Sequence, residues 1–196
     1  MNATDILFER IRKFVEDGGD INSFYEDSAV LFEFLVEYYH SVVYDPNIEY
    51  DDDYYAEELW LPLEERPNKI FEQMRWLIEH GADLNAGGEW LPLMPPVGNL
   101  DYAMTEFLLA NGANAHYDSN EDGDIPYGCG NYYIDDLDVT LLNYSFEPNA
   151  KKEVFDQVLK IATLFAKYGV TDVHTHCVSI DGATRTVSVT QASVKY

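Results

Sequence analysis

Residues 76–85 read Trp76-Leu77-Ile78-Glu79-His80-Gly81-Ala82-Asp83-Leu84-Asn85. Just upstream, Ile70, Met74, Leu77 and Ile78 recur at three- and four-residue spacing, which puts them on one face of a helix. Gly81 follows the last periodic residue, where a left-handed backbone ends a helix at least cost because glycine has no Cβ. The stretch therefore predicts the end of an amphipathic helix, its stop signal, and a polar–apolar–polar exit.

The same ending occurs three more times. Leu7, Ile11, Phe14 and Val15 share a face before Gly18-Gly19-Asp20-Ile21-Asn22, and Met104, Phe107 and Leu108 precede Gly112-Ala113-Asn114-Ala115-His116. Val154, Val158, Ile161, Ala162 and Phe165 precede Gly169-Val170-Thr171-Asp172-Val173-His174. Glycine stops alone are common; the recurring exit after each of them is the stronger signal.

WLIEHGADLN, LLANGANAH and FVEDGGDIN resemble the ending of the ankyrin repeat, in which a second helix runs into Gly-Ala-Asp-hydrophobic-Asn. The family's first-helix opening, Thr-Pro-Leu-His, survives only as partial echoes at Leu91-Pro92-Leu93, Ile125-Pro126-Tyr127 and Thr140-Leu141-Leu142-Asn143. The resemblance covers scattered pieces of residues 5–175 and implies a mainly α fold, an ankyrin-like helical-repeat solenoid filling one domain, 1–196. The interval from Gly81 to Gly112 is close to one ankyrin repeat, and the two outer intervals fit longer units with insertions.

First helices are expected at Ser28 to Val43, with Ser28 accepting a backbone hydrogen bond as cap, and at Leu137 to Phe146. The interruptions Tyr44 to Arg66 and His116 to Asp136 are rich in Asp, Glu and Tyr and bounded by Pro or Gly, so they read as insertions. Around Asp181-Gly182, β-branched residues alternate, predicting a hairpin over about 177–190.

With 46% hydrophobic and 14% aromatic residues, the 196-residue chain has material for a packed core and does not have the composition of a disordered segment. Thirty-six acidic against 12 basic residues give a net charge of −24. That charge disfavours nucleic acid and anionic membranes and favours a basic protein surface. Two cysteines, Cys129 and Cys177, are too few for a disulfide framework, the N-terminal residues carry no secretion signal, and no apolar run is long enough to span a bilayer. A cytoplasmic location is the expectation.

Asp118-x-Asn120-x-Asp122-Gly123-Asp124 matches the first half of an EF-hand loop, but Cys129 stands where the closing bidentate Glu belongs. The segment Asp122 to Tyr127 instead resembles the ankyrin finger turn. His174, His176 and Cys177 offer zinc-ligand chemistry without a second ligand cluster, and no nucleophile-elbow, phosphate-loop or His-Glu-x-x-His motif is present. No metal, no cofactor and no enzymatic activity are expected.

Acids interleaved with aromatics are the expected binding surface, because charge steers the encounter and large rings supply contact energy. The candidates are Tyr50, Asp51, Asp52, Asp53, Tyr54, Tyr55, Glu57, Glu58 and Trp60 in the first insertion. In and beside the second they are Asp118, Asp122, Asp124, Tyr127, Tyr132, Tyr133, Asp135 and Asp136. Short acidic chains of this kind resemble bacterial ankyrin-type immunity proteins, which implies neutralisation of a cognate basic, nuclease-like toxin by covering its active surface. The alternatives are a regulatory or scaffold ankyrin protein and, from another class, a hydrolase.

Overall fold

The computed structural model describes residues 2–26, 28–43, 57–66, 69–86, 90–117, 131–145 and 152–190. These residues form seven α-helices followed by a small antiparallel sheet. The helices are α1 (Ala3–Glu16), α2 (Val30–Val43), α3 (Ile70–Glu79), α4 (Met94–Gly98), α5 (Tyr102–Ala110), α6 (Tyr132–Ser145) and α7 (Lys152–Lys167). Short 3-10 turns at Ile21–Ser23, Glu57–Trp60 and Leu63–Glu65 lie between them. No helix among the described residues is long and apolar enough to cross a membrane.

Most of each apolar stripe read from the sequence faces the core, while Phe14, Val15, Ile78 and Phe107 are only half-buried. Leu7 and Ile11 of α1, Ile70, Met74 and Leu77 of α3, and Met104 and Leu108 of α5 are buried, as are Val154, Val158, Ile161, Ala162 and Phe165 of α7. The odd-numbered helices lie side by side. Phe8 meets Trp76 edge-on at 5.4 Å, Phe71 meets Phe107 at 5.6 Å, and Lys167 reaches Glu106 at 3.4 Å. Helices α2, α4 and α6 form a second row, α4 touching both α2 and α6. Packed against α1 and α4, α2 buries about half of its circumference: Val30, Leu31, Phe34, Leu35, Tyr38 and Tyr39 all lie inside.

All four glycine stops have one geometry. Gly18, Gly81, Gly112 and Gly169 take φ of 91°, 90°, 105° and 99°. In each case the glycine N–H donates to the carbonyl three residues back, and the next N–H reaches five back, as Gly81 does to Ile78 and Ala82 to Leu77. This double bond pattern is the Schellman motif, which satisfies the last carbonyls of a helix.

Asparagines just past the first two stops join each ending to its neighbour. Asn22 donates Nδ2–H to the Gly81 carbonyl at 2.9 Å and accepts the Asp83 N–H on Oδ1 at 2.8 Å. Asn85 repeats this toward Gly112 at 3.2 Å and Asn114 at 2.7 Å. A carboxamide both donates and accepts, so it can clamp a facing backbone where a carboxylate cannot. Asp20 and Asp83 hold the two asparagines in place by accepting their backbone N–H groups.

At the C-terminal end, β2 (Val178–Asp181) and β3 (Thr186–Val189) form the expected hairpin, and β1 (Val173–His174) adds a third strand, pairing Val173 with Ile180. Val178 and Ile180 alternate inward onto α6 and α7. Asp138 of α6 accepts the Cys177 N–H and the Thr175 hydroxyl, tying the sheet to the helices.

Three boundaries differ from the expectation. Helix α2 begins at Val30, so Ser28 lies too early to accept from a first-turn amide; its hydroxyl donates instead to Glu33 Oε1. Helix α6 begins at Tyr132, five residues before Leu137, because Asn131 caps it by accepting the Ile134 N–H. The insertions are correspondingly shorter: Leu59, Leu63 and Arg66 are buried at the end of the first, and Tyr133 and Ile134 at the end of the second. Residues 44–56 and 118–130, with the EF-hand-like stretch, lie outside the described residues.

A Cβ added at Gly81 meets no atom within 4 Å, so only backbone strain opposes an alanine there. Gly81→Ala is expected to lose about 1–2 kcal/mol of stability. Asn85→Ala, which leaves two facing backbone groups to solvent, is expected to lose about 1 kcal/mol. Denaturant midpoints check both, and an unchanged midpoint for Gly81→Ala would contradict the left-handed stop.

Candidate interaction surface

Between Lys13 and Lys151 the chain contains only three Lys or Arg residues: Arg66, Lys69 and Arg75. Of these, Arg66 is fully buried, its side chain and that of Asp101 both at 0% exposure. The guanidinium forks onto both Asp101 oxygens, at 2.6 and 2.7 Å. Its remaining donors go to the Tyr38 hydroxyl and to the Leu59 and Leu61 carbonyls. Tyr39 donates its hydroxyl to the same carboxylate at 2.8 Å. Burial by itself lowers the Arg66 pKa, but the hydrogen bonds and charge of Asp101 outweigh it and hold the guanidinium above its ordinary value. Burial and the Asp101 charge push the Tyr39 phenol well up, so it stays a donor.

This pair positions the end of the first insertion. Asp101 also caps α5 by accepting the Met104 N–H, so Arg66 fastens residues 57–66 to the start of that helix. With Leu59 and Leu63 turned inward, Trp60 lies in a groove of about 400 Å³ together with Phe71, Tyr102 and Phe107. Glu64 and Glu106 are its carboxylates. Burial, then the Glu106 charge and hydrogen bond, raise the Tyr102 phenol. An aromatic floor beside carboxylates suits the apolar stem and cationic head of Lys or Arg.

The expected surface residues thus fall into three groups. Trp60 belongs to the groove, and Glu57 and Glu58 to the 3-10 turn that leads into it. Tyr50, Asp51, Asp52, Asp53, Tyr54, Tyr55, Asp118, Asp122, Asp124 and Tyr127 lie outside the described residues. Tyr132, Tyr133, Asp135 and Asp136 lie in a different neighbourhood, on α6 against α4 and α7. Tyr133 is a correction: at 1% exposure, stacked on Phe165 at 5.3 Å, it is core and not contact surface. A helix starting at Leu137 leaves Tyr133 in the insertion; the true start at Tyr132 puts it on the inward face of α6.

Phe71, Tyr102 and the 54% exposed Trp90 are surface aromatics that the sequence does not single out, and Phe107, expected on the apolar face of its helix, is half-buried and lines the groove. Phe71 and Tyr102 fall off the buried stripes of their helices, which is the sequence signal available; Trp90, beside Phe32 at 5.7 Å, has none. His174 bonds Ser179, His176 lies 3.6 Å from Asp138 and Cys177 is buried. Among the described residues no group of three or more His, Cys, Asp or Glu is placed to hold a metal ion. No family model matches the chain, and neither a curated protein nor a solved structure matches it.

Arg66→Met leaves the Asp101 carboxylate buried without its counter-charge and is expected to cost about 3–5 kcal/mol of stability. Adding Asp101→Asn should recover part of that loss, as measured by denaturation of the single and double variants.

Asp136 packs against Gly98 of α4, and burial lifts its carboxyl to about 6. A raised folded pKa means the native state holds the proton more tightly than the unfolded chain. The contribution is therefore complete below the unfolded carboxyl value of about 4 and is lost as pH rises through about 6. Between pH 4 and pH 7 the wild type should lose on the order of 2 kcal/mol relative to Asp136→Asn. Parallel denaturation profiles for the two proteins would rule this out.

Proposed function

We propose that the chain is a non-catalytic, cytoplasmic binding protein of the ankyrin type, an immunity protein that covers the active surface of a basic, nuclease-like toxin domain. The observation that carries this reading is the acidic, aromatic groove at the exit of the first insertion, in a part of the chain almost without cations. The four like helix stops and the asparagine clamps between them support the repeat assignment. Stacked repeats present an extended surface without deforming their core, which suits recognition of another protein.

Negative charge on the approach and rings at the contact act on different kinetic steps. Long-range attraction accelerates encounter and is screened by salt, whereas a buried ring holds the formed complex together. Asp51, Asp52 and Asp53, a few positions before Trp60 in sequence, are the steering charges of this reading, and Trp60 is its anchor.

Replacing Asp51, Asp52 and Asp53 together by Asn should slow association and flatten its salt dependence. Trp60→Ala should speed dissociation, at a cost of about 2 kcal/mol or more in affinity. Both are checked by surface binding at two ionic strengths against the product of the upstream gene. Inhibition of that protein's activity is measured in parallel. A complex that leaves the activity intact would replace the immunity reading with the scaffold one; failure to form a complex would sink both.

A further inference from the structure

A second groove, of about 410 Å³, lies between the first turns of α1 and α3. It adjoins the two ends of the first insertion: α3 begins a few residues after Arg66, and Ser41 near the end of α2 is hydrogen-bonded to Thr4 of α1. Asp5 and Glu9 contribute from one helix, Glu72 and Gln73 from the other, and Phe8 and Trp76 supply an aromatic wall.

Gln73 distinguishes this groove from an ordinary acidic surface. Its residue exposure is 6%, and its Nε2 donates to Asp5 Oδ1 at 2.9 Å. A carboxylate only accepts, so this bond fixes the orientation of the amide. The amide carbonyl Oε1 is then buried, and it accepts no hydrogen bond among the described residues. A buried acceptor left in that state is costly to the fold, and a donor arriving in the groove recovers the loss.

We infer that this groove receives an arginine side chain of the basic partner. The inference rests on the binding function proposed above and adds a second contact to it. Apart from the Gln73 amide, already given to Asp5, the Trp76 indole N–H and Lys69, an exposed cation, the polar groups of the groove are acceptors. Glu9 is engaged by Arg12, which leaves Glu72, the second Asp5 oxygen and the Gln73 carbonyl for the ligand. Acceptors on two helices beside an aromatic wall suit a planar cation with several divergent donors. Guanidinium has that form and stacks on rings, whereas ammonium is a compact, strongly hydrated point charge and a hard metal ion has no use for the rings.

The full chain is titrated with N-acetyl-arginine amide while the Trp76 indole N–H and the Gln73 side-chain NH2 resonances are followed. A saturable shift of both is expected, with weaker binding of N-acetyl-lysine amide. Gln73→Met keeps the volume and removes the acceptor, and Glu72→Gln changes charge on the rim; each should weaken arginine binding several-fold. Lys69→Gln should tighten it by removing a like charge. Should Gln73→Met fail to fold, Glu72→Gln and Lys69→Gln carry the test. No saturable Trp76 shift, or equal affinity in wild type and Glu72→Gln, overturns the inference. The same variants measured against the basic partner separate the two readings. Unimpaired partner binding overturns the groove and leaves the binding function standing, whereas arginine binding with no partner complex upholds the groove and sinks the function.

Discussion

A guanidinium with every donor used, buried on a carboxylate that is itself a helix cap, holds the centre of this molecule together. Arg66 belongs to the segment between α2 and α3, Asp101 to the N-cap of α5, and Tyr38 and Tyr39 to α2. Removing the two charges from water is unfavourable, and the cost is offset only because the fork is bidentate and the backbone carbonyls of Leu59 and Leu61 take the remaining hydrogens. The geometry has to be met all at once, so the pair brings three separate parts of the chain to one point. The position of Trp60 at the surface groove depends on it.

The asparagine clamps act at the other end of the same helices. Each left-handed glycine turns the chain out of a helix, and in the first two endings the next asparagine bonds to the turn of the neighbouring one. Helical packing alone leaves the relative height of neighbouring helices open to sliding; two directional bonds to a facing backbone do not. In the third ending His116 stands where the first two have asparagine, and its ring lies toward Gly169. The run then passes into the small sheet, with Asp172 in the left-handed region leading into β1.

Charge is divided between these parts. Surface cations sit on α1, α3 and α7 and at the hairpin turn, and α2, α4, α5 and α6 have no Lys or Arg. Self-repulsion in so acidic a chain opposes compactness, and the proposed basic partner would relieve it. Function proposed on this basis is therefore a matter of partner charge and ring contact, with the helices as a rigid frame.

The helix stops, the apolar stripes of α1, α3, α5 and α7, and the C-terminal hairpin were legible in the sequence, because each depends on residues within a few positions of one another. Periodicity and a glycine without Cβ encode them locally. The role of Arg66 was not legible: a lone cation at the end of an acidic stretch reads as solvent-exposed, and only the approach of Asp101, 35 residues on, makes burial tolerable. The same holds for Tyr133, which composition assigns to an acidic, aromatic surface and Phe165 draws into the core. The open carbonyl of Gln73 likewise exists only because Asp5, 68 residues away, takes its amide. Local chemistry set the elements; contacts distant in sequence decided which polar and aromatic side chains enter the core and which remain at the surface, because desolvation is judged where the side chain ends up and not where it sits in the chain.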